Sequence, residues 1–183
     1  LYLTEKNKAK KLSGAMIFLS SPLGQRISVE ERAANKPEAQ AEMQAYAMQL
    51  AATPPSLGRS ETIQTLASAL NADKLVLKMM KGVFFSVLEV SKLIAATGTK
   101  QLEVEMEEQW QSMLPTLRTQ FSQFMLMSAH YSYRNIADDD LNDYITFLNS
   151  DSGQAYWRTG VDIIDLYLRG FVSELVEEIS IAR

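Results

Sequence analysis

FLSSPLGQRI, from Phe18 to Ile27, and FLNSDSGQAY, from Phe147 to Tyr156, spell nearly the same phrase near the two ends of one chain. In each, an amphipathic stretch ends in Phe-Leu, a serine follows, and Gly-Gln comes three residues after it. The residues before the phrases also match at the same offset, with Leu12 falling on Leu141 and Tyr2 on Tyr131. A phrase that recurs with its flanks is a repeated element, and its residue types read as a helix-turn-helix corner. Phe18 and Phe147 close one helix. Ser21 and Ser150 stand where a hydroxyl can cap the next, and Pro22 in the first copy occupies the first helical position, where its missing N–H costs nothing. Gly24 and Gly153 then fall in the first turn, where the lack of a side chain lets the preceding helix come close, and Gln25 and Gln154 can bond back across the corner. A helix start with a glycine also suits an anion. No Lys or Arg recurs at matched positions beside both copies, so the structural reading is preferred to a phosphate or carboxylate site.

The rest of the chain has the same period. Met43, Tyr46, Ala47, Leu50 and Ala51 lie on one helical face, as do Ile63, Leu66, Ala67 and Leu70, and again Leu141, Tyr144, Ile145 and Leu148. No stretch alternates as a strand between hairpin signals. The expected fold is all-α: a helical bundle of about eight or nine helices with the corner used twice. Thr4 is expected to cap a first helix to Ser20, Pro37 to start a third, and Ser60 to cap a short helix ending near Asn71. Asp73 opens a longer one ending at Thr97-Gly98, and Thr99 starts the next. Pro115 lies within the apolar pattern Trp110, Met113, Leu114, Leu117, Phe121, Phe124, which predicts a kink or a break. Ile136 and Leu141 read as a hydrophobic staple around a helix start at Asp138–Asp140. A last helix from Ser150 to about Ile181 would extend on the order of 45 Å, with Gly160 and Gly170 as places to bend. Thr53–Gly58, TPPSLG, is the clearest linker, dividing residues 1–52 from a helical domain over 60–183, with 53–59 between them.

Composition excludes several functions. The 183 residues are 46% hydrophobic and 22% charged, ordinary for a globular chain. The uncharged apolar run Gly82–Leu88 is far too short to span a membrane. There is no cysteine, hence no disulfide, thiolate chemistry or cysteine-bound metal. A net charge of −4 speaks against nucleic-acid binding. The charge is uneven: residues 1–36 carry seven Lys/Arg against three Asp/Glu, and residues 101–183 five against fourteen. The two ends could attract each other within a chain or between chains, although surface ion pairs contribute little net energy.

The stretch YRNIADDDLNDYITFLNSDSGQAY, Tyr133 to Tyr156, resembles the signature of the bacterial domain-of-unknown-function family numbered 2059: a short acidic helix, an aromatic-rich stretch, a serine and Gly-Gln. The likeness spans residues 60–176. A Ser-Pro pair usually precedes the Gly-Gln there; this chain has Ser150-Asp151 in the second copy and Ser21-Pro22 in the first, and Ala137 replaces the more usual hydroxyl cap. The resemblance implies an all-α, exported (periplasmic or secreted) protein of Gram-negative bacteria, with no catalytic residues to carry over, and it makes residues 1–52 a partial, degenerate first repeat.

Candidate chemistry is sparse. His130, the only histidine, reads as a partly buried structural residue, and a triad with Ser128 and Asp138 lacks a nucleophile elbow or an oxyanion hole. Asp138, Asp139, Asp140 and Asp143 lack the alternating ligands and turn glycine of a calcium loop. No catalytic residue, cofactor or metal is therefore expected. Met79, Met80, Phe84, Phe85, Phe124, Met125 and Met127 fall at core spacing, and could instead line an apolar cavity for a lipid or hydrophobic peptide. The expected function is a non-enzymatic protein-binding or assembly module whose partner is another protein or a second copy; the alternative is a carrier or sensor of an apolar ligand held between helices.

Overall fold

A computed structural model of the chain describes residues 2–70, 72–94 and 99–181. All eight elements among them are α-helices: α1 (Tyr2–Ser20), α2 (Pro22–Ala34), α3 (Ala39–Ala52), α4 (Leu57–Leu70), α5 (Ala72–Ile94), α6 (Thr99–Ser132), α7 (Asp138–Asn149) and α8 (Asp151–Ile181). The expected caps at Thr4 and Asp73 and the end signals at Asn71 and Thr97-Gly98 lie outside the described side chains.

Two compact units form. One combines Leu1–Ala72 with Gln123–Thr159, the other Asp73–Ser122 with Gly160–Arg183. The division cuts across the expected boundary at 53–59, because α4 packs on α7 and both share one core. Ile63, Leu66 and Leu141 are fully buried there. Around them stand Tyr144, Ile145, Phe147 and Leu148 of α7 and Ala129, Tyr133 and Ile136 at the end of α6 and after it, with Ala15 and Ile27 from the N-terminal helices. The i, i+3, i+4, i+7 spacing of α4 and α7 is thus a pair of apolar faces turned to each other.

In the second unit α5 meets α6 and α8. Phe84 lies against the buried Trp110, ring centroids 5.6 Å apart. Lys81 reaches Glu107 and Lys78 reaches Asp165, each at 3.3 Å.

Two helix starts and one helix interior differ from expectation. α4 begins at Leu57 rather than after Ser60, because Ser56 Oγ accepts from the Arg59 N–H at 3.2 Å and so caps the helix a turn earlier. Pro115 sits inside an unbroken α6. Residues after Pro37 start α3, at Ala39.

Candidate functional site

The twice-spelled phrase makes the same joint in both places. Ser21 Oγ donates to the Phe18 carbonyl at 2.6 Å and accepts from the Gly24 N–H at 3.1 Å; Ser150 does so with Phe147 and Gly153 at 2.6 and 3.1 Å. A Cβ on Gly24 would stand 2.8 Å from the Leu19 Cα, and one on Gly153 would stand 2.8 Å from the Leu148 Cα. Both would also collide with the preceding phenylalanine's carbonyl oxygen. The glutamines diverge: Gln25 donates to the Ser20 carbonyl and Gln154 to that of Leu148. With its first-turn N–H taken by serine and its glycine closed against backbone, neither corner presents an open anion cradle.

The two joints also face each other. Phe18 stacks on its equivalent Phe147, centroids 3.9 Å apart and rings within 4° of parallel. Lys11 of α1 pairs with Asp151 at the start of α8 at 2.9 Å, and Gly14 of α1 lies against Ser152. Reciprocally, Arg26 of α2 pairs with Asp140 of α7 at 2.7 Å. The first helix of each corner meets the second helix of the other, and like meets like at the centre, which is the pattern of an isologous contact folded into one chain. The likeness stops at the flanks. α1 is one helix where its counterpart turns at residues 133–137, and α2 ends at Ala34 where α8 continues. Residues 4–34 and 133–163 therefore do not share one path throughout.

A polar clamp surrounds the turn between α6 and α7. Arg59 donates to the carbonyls of Tyr133 (2.5 Å) and Ile136 (2.9 Å) and to Asp138 (2.5 Å). The Tyr133 and Tyr144 hydroxyls both donate to one oxygen of Glu31, at 2.6 and 3.0 Å. Burial, and then the Glu31 carboxylate, push both phenols well above their ordinary range. Tyr131 donates to Glu42 at 2.7 Å beneath the Arg134 guanidinium, which lies 3.9 Å over its ring. Asn135 donates to Glu30 at 3.1 Å. Every buried side-chain polar atom among the described residues has a partner.

This clamp accounts for the residues that invited chemistry. Asp138 answers Arg59 and Asp140 answers Arg26, so two of the acidic run are cross-links, and no group of three or more His, Asp or Glu among the described residues could hold a metal. His130 is half-buried, with its pKa lowered by that burial and then by Arg59. Asp138, the triad's third member, is held by Arg59. The apolar-cavity candidates divide between the units: Met79, Met80, Phe84 and Phe85 lie in one, Phe124, Met125 and Met127 in the other. Phe84 and Phe85 pack edge to face, Lys81 covers Phe85, and Phe124 is exposed.

The surface feature that sequence reading missed is on α8. Ile163, Leu166, Tyr167 and Phe171 are 62%, 73%, 77% and 58% exposed, and they share one face of the helix. Asp162 and Glu174 stand exposed beside them. The signal was available in the spacing 163, 166, 167, 170, 171, which reads equally as a buried face until the packing is known. Arg59, by contrast, carried no signal, since its partners lie 74 to 79 positions away. No family model, curated protein or solved structure matches the chain.

Proposed function

We propose that this is a non-enzymatic, exported helical module that acts by binding another protein through the outward face of α8. The observation that carries this reading is the run of exposed Ile163, Leu166, Tyr167 and Phe171 on one helix. Single exposed apolar residues are ordinary, but a contiguous rimmed patch marks an interaction surface. Aromatic side chains dominate binding energetics, and here two are presented with little conformational entropy to lose. Asp138 and Asp140 are engaged by Arg59 and Arg26, which favours a structural role for these two acids. Export rests on the family resemblance of Tyr133–Tyr156.

The test is a photo-reactive phenylalanine placed at position 167, with the same group at exposed Gln40 of α3 as control. Irradiation in the source cell should yield a discrete protein adduct from position 167 and none from position 40. Absence of any adduct from 167, with the protein folded and abundant, would remove the reading.

A further inference from the structure

We infer that the occupant of the α8 face is a second copy of this chain, paired helix against helix in antiparallel fashion; this rests on the reading of that face as a protein-binding surface. Gly160, Ile163, Tyr167 and Gly170 follow one another at spacings of three, four and three, the period of a seam that packs along another helix. All four are exposed. Nothing lies within 4 Å of where a Cβ would stand on Gly160 or Gly170. Open space beside two glycines on an apolar face is room for a partner's side chains or backbone.

The seam is symmetric about position 165. Turned end for end on a copy of itself, it sets Gly160 against Gly170 and Ile163 against Tyr167, so each large side chain meets a large one and each gap a gap. Self-complementarity of this kind is what a closed two-fold contact requires. Charge fixes the direction. Glu174 and Glu177 continue the same exposed face, and a parallel pair would hold each carboxylate against its own copy, a like-charge contact that disfavours binding. The antiparallel pair carries the two acidic ends apart. Leu166 and Phe171 flank the seam and widen it. One helix pair is a small interface, so the dimer is a reversible one.

Sedimentation velocity across a concentration series should show a monomer–dimer equilibrium. Tyr167→Glu should weaken it tenfold or more without changing the far-UV circular dichroism, since the side chain is solvent-facing. Because the chain has no cysteine, single cysteines report direction. A mixture of Ile163→Cys and Tyr167→Cys should give a mixed disulfide in preference to either self-linked form. Glu174→Cys should not self-link, as the antiparallel pair holds the two positions roughly 27 Å apart along the helix axis. Ready self-linking of Glu174→Cys, or a monomer at every concentration up to about 500 µM, would overturn the inference. A monomer whose position 167 captures a different protein would overturn it while leaving the α8 reading in place.

Discussion

At the two corner glycines the decisive quantity is a distance to backbone rather than to a flexible side chain. A Cβ at Gly153 would meet the Leu148 Cα at 2.8 Å, so an added methyl must push α7 and α8 apart. Gly153→Ala and Gly24→Ala should each cost about 1–3 kcal/mol in urea unfolding. Gly58, with nothing within 4 Å, should accept alanine without loss; equal midpoints for the Gly58 and Gly153 variants would refute the account. The corner was legible in sequence because all its parts lie within seven residues: a hydroxyl before the first turn and a glycine three residues on. His130 offers a second residue-scale test. Burial lowers its folded pKa, so the unfolded chain binds the proton more readily. Its contribution is present above the unfolded value of about 6.5 and is lost as pH falls through that value toward the folded one. His130→Gln should flatten the stability profile in this window, and an unchanged slope would place the titration elsewhere.

Among the elements, α4 and α7 recognise each other by period, and that much was readable from Ile63, Leu66, Leu141, Tyr144 and Leu148 alone. What the period could not reveal is how the turn between α6 and α7 is held. Two carbonyls of that turn and the Asp138 carboxylate all accept from Arg59, a residue the sequence places in a linker. A planar guanidinium can serve three acceptors at once, whereas an ammonium cannot match that fork. Arg59→Met should therefore cost about 2–3 kcal/mol, with Arg59→Lys recovering only part of it. Hydrogen exchange should rise at residues 133–138 before the core of α4 responds. α6 shows the opposite failure of local reasoning. Pro115 lacks the N–H that would bond one turn back, yet the helix continues through it. Pro115→Ala should then raise stability, by up to about 3 kcal/mol; a loss would mean that the proline's local geometry is itself required.

Across the whole molecule, the charge difference between the chain's ends takes form, among the described residues, in the ion pairs Lys11–Asp151 and Arg26–Asp140, which join the two corners. Both are solvent-accessible, and such pairs are worth little. The first unit is instead held together by apolar contact between segments far apart in sequence, with Phe18 and Phe147 stacked at its centre and Ala15 and Ile27 beside Leu141 in one core. The two causes make different predictions. If charge joined the corners, raising the salt to about 1 M, where screening acts within roughly 3 Å, would weaken the unit markedly. If stacking joins them, salt should matter little and the two rings should be energetically coupled. In a double-mutant cycle, Phe18→Leu and Phe147→Leu should each destabilise. The pair together should then cost less than the sum of the singles by about 0.5–1.5 kcal/mol, the excess an aromatic pair contributes beyond its buried area. Additive singles, together with a midpoint that falls steeply with salt, would show that the repeated phrase makes two independent corners rather than one paired joint.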